Sequence, residues 1–300
     1  MNLSVNIAGI TLKNPVMPAS GTFGSGKEYA GFVDINRLGA VVTKGVAITP
    51  WPGNPPCRIA ETDSGVLNSV GLQNAGVEAF LRDDLPFLKQ YDTRVIVNIC
   101  GHTAEDYIAV AEALSGADID MLELNISCPN IEEGGLSFGT EPKSACRVTE
   151  AVKKHSQQPL IVKLSPNVTS IADIAKAVES AGADAISLIN TLLGMKIDIK
   201  RRTFALPRKT GGLSGPAVKP IAVRMVYEAS RAVRIPVIGM GGIMTGEDAA
   251  EMLMAGASAV AVGTAGFYRL TALTGVLDGL VGFMAENRIE DVNEFKSMLA

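Results

Sequence analysis

Histidine, tryptophan and cysteine are scarce in this 300-residue chain, which holds two, one and four of them, and aromatics reach only 5%. The four cysteines, Cys57, Cys100, Cys128 and Cys146, never fall in C-x-x-C spacing. That spacing removes support for a zinc ribbon, a thioredoxin-like pair or an iron–sulfur cluster held within the chain. They are also too few for a disulfide scaffold, which fits a reducing cytoplasm. With His102 and His155 the sole imidazoles, a histidine triad or histidine metal site is poorly supported, and no metal is expected. Basic charge is not in excess: Lys+Arg number 27 against 31 Asp+Glu, a net −4, which excludes a chain-wide footprint for nucleic acid. Met1 to Lys13 lacks a basic segment before an apolar block, which argues against a signal peptide. The uncharged run from Met252 to Tyr268 spans 17 residues, but Gly256, Gly263 and Gly266 break it, so it reads as helix end, strand and loop rather than a membrane span.

What the chain does hold is 47% apolar residues and 31 glycines, enough for a large core. Short, nearly continuous apolar runs occur at 15–19, 40–42, 95–97, 121–124, 160–162, 185–189, 236–238 and 259–262. Such runs suit strands buried on both faces of a parallel sheet. Segments with helical spacing lie between them: Ile171, Ile174, Ala175 and Val178 mark one, and 217–232 and 247–255 behave alike. Gly-Ala precedes a strand at Gly39, Gly116, Gly182 and Gly256, at intervals of 77, 66 and 74 residues. Each interval fits two βα units, so eight strands are expected, the count of a (β/α)8 TIM barrel. We expect one domain over 1–300, opened by a small β-hairpin (4–7 and 10–12). Long loops are expected after strands 2, 4 and 6, at 47–76, 127–140 and 190–215. A doubly wound sheet fits less well, because Pro18-Ala19-Ser20-Gly21 is not its glycine-rich turn.

Polar residues close nearly every expected strand: Lys44, Asn98, Asn125, Lys163 and Asn190-Thr191. One Asn after a strand is usually a turn former. Two lysines and three asparagines at one end of a barrel point instead to a site. Each lysine also ends an apolar strand, where a charge needs a partner. Gly239-Met-Gly-Gly-Ile243 and Val262-Gly-Thr-Ala265 follow strands 7 and 8, where barrels often hold phosphate on backbone N–H groups and a helix N-terminus. Met244 replaces the last glycine of G-x-G-x-x-G, so no dinucleotide fingerprint is present. Among the cysteines, Cys146 reads as a small core residue on a helix, and Cys57 and Cys100 lack polar neighbours. Cys128 stands between Asn125 and Asn130 just past strand 4, where a thiolate can act as base or nucleophile.

Five segments together resemble the dihydroorotate dehydrogenases over essentially the whole chain, closest to the class 1B catalytic subunits. They are Asn125-Ile-Ser-Cys-Pro-Asn130, Lys163-Leu-Ser-Pro-Asn167, Ile189-Asn-Thr-Leu192, Gly211-Gly-Leu-Ser-Gly-Pro216 and Ala255-Gly-Ala-Ser-Ala-Val-Ala-Val-Gly-Thr264. The resemblance implies FMN at the C-terminal strand ends and oxidation of (S)-dihydroorotate to orotate in pyrimidine biosynthesis. Cys128 matches the family's base, which takes a proton from substrate C5 as hydride leaves C6. Lys44, Asn68, Asn125, Asn130, Asn190 and Thr191 match residues that hold the substrate. The stretch Asn68-Ser69-Val70-Gly71-Leu72 matches the backbone-rich part of that pocket. FMN contacts map to Ser20, Lys44, Gly45, Asn98, Asn125, Lys163, Ile189, Gly215, Gly241, Gly242, Gly263 and Thr264, the last four cradling the phosphate. Closure of the 127–140 excursion would hold Cys128 over C5.

The same resemblance implies a cytoplasmic enzyme that delivers electrons to NAD through a partner subunit carrying FAD and a [2Fe–2S] cluster, as a heterotetramer of two chains of each kind. The alternatives are a class 1A-type fumarate-linked enzyme, a related flavin barrel acting on other dihydropyrimidines, a non-catalytic flavin-binding subunit, and a colourless phosphate-sugar isomerase or aldolase.

Overall fold

The computed structural model describes residues 1–127 and 138–299. Eight short strands form one parallel sheet: β1 (Val16–Pro18), β2 (Ala40–Val42), β3 (Arg94–Ile99), β4 (Met121–Asn125), β5 (Leu160–Lys163), β6 (Ala185–Leu188), β7 (Val237–Met240) and β8 (Ala259–Val262). Ladders join β2 through β7 in chain order, then β8, and β8 pairs β1. The Gly39 N–H donates to Val16 O at 3.0 Å and brings the first two strands together. The result is the expected (β/α)8 barrel. Its strands read as unbroken apolar runs because both faces are covered, by the barrel interior and by the helices.

The helical layer comprises a stretch at 77–88, then α1 (Ala104–Ala113), α2 (Pro142–Lys153), α3 (Ile171–Ser180), α4 (Lys219–Ala232), α5 (Gly246–Met254), α6 (Ala265–Tyr268) and α7 (Ala272–Glu286). In α3 the residues Ile171, Ile174, Ala175 and Val178 are all buried, as their spacing requires. Ser170 caps this helix, accepting from the Asp173 N–H. Between β1 and β2 there is only a 3₁₀ turn, Ile35–Arg37, where an α-helix is the usual element. The hairpin, Val5–Ile7 with Ile10–Leu12, is present. Two of the four Gly-Ala joints have glycine in the left-handed region, Gly182 at φ +93° and Gly256 at φ +110°.

The long excursions after β2 and β6 are not loops alone. Ile59–Thr62, Gly65–Asn68, Thr210–Ser214 and Leu192–Met195 pair into a four-stranded antiparallel sheet. The pairing of Asn68 with Gly212 ties the two excursions to each other. This cap sheet was not expected from the sequence. Among the described residues no helix is long and apolar enough to cross a membrane.

Candidate active site

The cavity with the widest representation of strand ends lies at their C-terminal side, beneath the cap sheet. β2 brings Lys44 and Gly45 to it, β4 brings Asn125, β5 brings Lys163, and the turn after β6 brings Ile189, Asn190 and Thr191. The turns after β7 and β8 add Gly241, Gly242, Gly263 and Thr264, and Ser20 follows β1. The cap sheet contributes Asn68, Val70, Gly71, Leu72 and Gly215 from its strands and connections. Most of the expected site residues are therefore gathered on one surface.

Two of them lie beneath that surface. Ser69 is buried and its Oγ accepts from Asn54 Nδ2 at 3.1 Å. Asn98 is fully buried and its Nδ2 donates to Glu123 Oε2 at 2.6 Å. Cys128 and Asn130 lie outside the described residues, as does most of the 127–140 excursion. Of the other cysteines, Cys57 is exposed and Cys100 buried, while Cys146 is half-buried rather than a core residue. His155 is exposed and meets Glu112 at 2.6 Å, and His102 stacks on Trp51, so neither imidazole enters the cavity.

Lys163 is the most informative lining residue. It is only 4% exposed, and it makes no hydrogen bond or ion pair among the described residues. A cation buried without a partner is costly, so the site is built to receive an acceptor or an anion. Register explains its company: Lys163 sits opposite Asn125 on β4 and Ser187 on β6. Neighbouring amides are held firmly. Asn190 Nδ2 donates to Ser127 O at 2.9 Å, Ser127 Oγ donates to Asn125 Oδ1 at 2.9 Å, and Asn68 Nδ2 donates to Gly212 O at 3.1 Å. Tyr107 on α1 donates to Asn125 O at 2.8 Å from behind the strand. Gly71 and Leu72 are both left-handed, at φ +74° and +52°, which is unusual for a leucine and presents backbone to the cavity.

The glycines after β7 serve the fold as well as the cavity. A Cβ at Gly242 would come within 2.5 Å of Lys219 Cβ, and one at Gly241 within 2.8 Å of Ala222 Cβ. Close packing of α4 on this turn thus demands glycine, while the same backbone lines the cavity. At the N-terminus of α5, three N–H groups are taken by side chains of its own first turn. Thr245 Oγ1 accepts from the Asp248 N–H, and the Asp248 carboxylate accepts from the Met244 and Thr245 N–H groups. Any phosphate would rest on the glycine turns and on Thr264, whose Oγ1 donates to Ser214 Oγ at 2.8 Å.

Sequence reasoning missed Glu123 and Ser187. Glu123 is 2% exposed inside the barrel, and its two oxygens accept from Asn98 Nδ2 at 2.6 Å and Ser187 Oγ at 2.7 Å. The signal was available: a carboxylate in the middle of an apolar strand must be buried with donors around it. The residue set fits FMN. It offers a buried cation, a buried Asn98 Oδ1 with no partner among the described residues, several fixed amides and glycine-walled turns at the far end.

Fold and cavity together define a ligand-binding (β/α)8 barrel with its site at the C-terminal strand ends. A sequence profile of dihydroorotate dehydrogenase matches residues 2–284. The chain belongs to the dihydroorotate dehydrogenase family. It is 60% identical over 98% of both chains to the dihydroorotate dehydrogenase B (NAD(+)) catalytic subunit of Lachnoclostridium phytofermentans. It is 63% identical to the subunit of that name from Alkaliphilus oremlandii, over 98% of this chain and 97% of the relative. The subunit of that name from Alkaliphilus metalliredigens is 60% identical over all of this chain.

Proposed function

We propose that this chain oxidises (S)-dihydroorotate to orotate in cytoplasmic pyrimidine biosynthesis, with FMN as its resident cofactor. The observation that carries the reading is the buried Lys163, without a partner among the described residues and set among fixed amides, in a chain whose near-identical-length relatives are named for this reaction. When bound, FMN supplies a hydride acceptor for substrate C6. Lys163 would hold the flavin's polar edge, where a fixed positive charge favours electron-rich states. The glycine turns at Gly215, Gly241-Gly242 and Gly263-Thr264 would take the phosphate end, and Ser20, Gly45, Asn98 and Ile189 would border the ring.

Lys44 is half-buried at the same cavity and would meet the substrate carboxylate. Asn68, Asn125, Asn130, Asn190 and Thr191 would read the ring amides, with Ser69 to Leu72 supplying backbone. The firm hydrogen bonds on Asn68, Asn125 and Asn190 support this role, because pre-oriented amides lose little freedom on binding. Cys128, directly after the buried Ser127, would take the C5 proton as the C5–C6 bond becomes double and hydride leaves C6. We further propose that electrons pass to NAD through a partner subunit with FAD and a [2Fe–2S] cluster, in a heterotetramer. The words "catalytic subunit" in the relatives' names support a partner.

The decisive experiment compares wild type with Cys128→Ala. The variant is expected to purify yellow, with FMN bound, yet to lose most flavin reduction by dihydroorotate near neutral pH. Undiminished reduction would remove Cys128 as the base. A colourless wild type, or one that turns over uracil and not dihydroorotate, would sink the whole reading. Assaying NAD against fumarate with and without the partner separates the two electron acceptors.

A further inference from the structure

A buried carboxylate inside an apolar barrel is expensive unless every lone pair that faces protein is met. Glu123 meets that condition with neutral donors only. Asn98 Nδ2 serves Oε2, and Ser187 Oγ serves Oε1. With Ser187 donating, both oxygens act as acceptors, an arrangement that accommodates a carboxylate. Glu123 forms no ion pair with Lys163, although the two belong to adjacent strands: its register partner on β5 is Ile161, one inward position below Lys163. The ammonium is thereby left for the cavity, and the negative charge remains in the layer beneath it.

The second consequence concerns Asn98. An asparagine amide can be rotated by half a turn unless its neighbours decide the matter. Glu123 decides it, since a carboxylate can accept only from the NH₂ side. Asn98 Oδ1 is then forced to the opposite side. There it is buried and has no hydrogen-bond partner among the described residues. It faces Gly45 of the cavity wall, where a Cβ would come within 3.1 Å of it. A buried acceptor left unmet costs about 1–3 kcal/mol, which a ligand group that reached it would recover.

We propose that Glu123 is a positioning residue of the flavin site, which fixes the Asn98 amide with its carbonyl oxygen toward the cavity and places one negative charge beneath the bound ring. This rests on the FMN reading above and deepens it. The two roles are separable. Gln at 123 can still accept from Asn98 and donate to Ser187, so it keeps the clamp and deletes the charge. Asp at 123 keeps the charge but is one methylene too short to hold both donors.

The test uses the full-length apoprotein, reconstituted with FMN, and reads the FMN dissociation constant by fluorescence quenching and the midpoint potential by reductive titration. Glu123→Gln is expected to bind oxidised FMN as wild type does. Its preference for the anionic reduced flavin should rise by about tenfold, an upward shift of about 30 mV for a two-electron couple. Glu123→Asp is expected to keep the wild-type potential and to bind FMN about tenfold more weakly. A merely structural glutamate would give lower melting temperatures in both variants and no difference between them in potential. An unchanged potential in Glu123→Gln, with wild type binding FMN, overturns the charge role alone. Unchanged affinity in Glu123→Asp overturns the clamp, and decides the matter even if Glu123→Gln does not fold. Failure of wild type to bind FMN removes both this proposal and the functional reading beneath it.

Discussion

Replacing Lys163 by methionine should make the protein worse at its task without making it a weaker fold. Lys163 is 4% exposed and has no hydrogen bond or ion pair among the described residues, so Lys163→Met breaks no contact they make. Methionine fills nearly the same length with an unbranched apolar chain. Substituting a buried ion by a hydrophobe of similar size is often neutral or stabilising. The apoprotein should therefore melt no lower than wild type. The bound state behaves oppositely. A hydrogen bond to a charged group contributes about 1.5–3 kcal/mol. At 1.4 kcal/mol per tenfold, losing one such bond to FMN weakens binding by about 10- to 150-fold. The assay is a paired measurement on stripped protein, calorimetric melting without ligand and FMN titration by fluorescence. A fall in apoprotein stability beyond about 2 kcal/mol would mean that Lys163 has a structural partner, the usual source of a loss that large. Unaltered FMN affinity would refute the assignment of Lys163 to the cofactor.

Other substitutions probe the scaffold. A Cβ at Gly246 would lie 2.0 Å from the Gly279 carbonyl carbon and 2.1 Å from the Leu280 nitrogen, where α5 meets α7 backbone to backbone. Gly246→Ala should cost about 3 kcal/mol by overpacking, seen as a lower denaturation midpoint. The Asp248 carboxyl is opposed by burial, yet the Lys219 ammonium and the Met244 and Thr245 N–H groups hold its pKa below the usual value of 3.8. Hydrogen bonds to Asp248 and Glu251 raise Lys219 above its usual 10.5. The first contribution is present above pH 3.8 and is lost as pH falls through the depressed value; the second is present below pH 10.5 and is lost as pH rises through the elevated one. Asp248→Asn should therefore be less stable than wild type by about 1 kcal/mol between roughly pH 5 and 9, with the gap closing on acidification below about pH 4 in chemical denaturation. A gap that persists at pH 2 would rule out the ion pair as its source.

The barrel was legible because its strands are buried on both faces. Ala40–Val42, Leu160–Lys163 and Ala259–Val262 have no exposed residue to interrupt the apolar run. The cap sheet was hidden for the opposite reason. Ile59–Thr62 alternates between exposed and half-buried residues, and Thr210–Ser214 carries two glycines. Their pairing also joins residues more than 140 positions apart, as between Asn68 and Gly212, which no local pattern announces. Strand-end lysines and asparagines were visible because polarity at the end of an apolar run is conspicuous. Glu123 was passed over inside Met121–Asn125, where flanking leucines made the segment read as uniformly apolar. The cap of α5 is legible too, since Asp248 lies three residues past Thr245, in capping-box spacing.

Parallel register gathers these polar groups in one place. β3 sets Asn98 opposite Glu123, β4 sets Asn125 opposite Lys163, and β5 sets Lys163 opposite Ser187. Partners across a parallel ladder share a face, so all five residues converge inside the barrel rather than dispersing around it. A core filled by Val, Ile and Leu at those positions would fold at lower cost. The polar layer instead leaves Lys163 and Asn98 Oδ1 without partners among the described residues, and each such group weighs against the apoprotein. A ligand that satisfies both recovers the deficit as binding free energy, because association with the native state alone stabilises it by mass action. The same two groups thus make the empty barrel costly and the filled one selective, since a ring lacking a donor for Asn98 or an acceptor for Lys163 would leave the deficit in place.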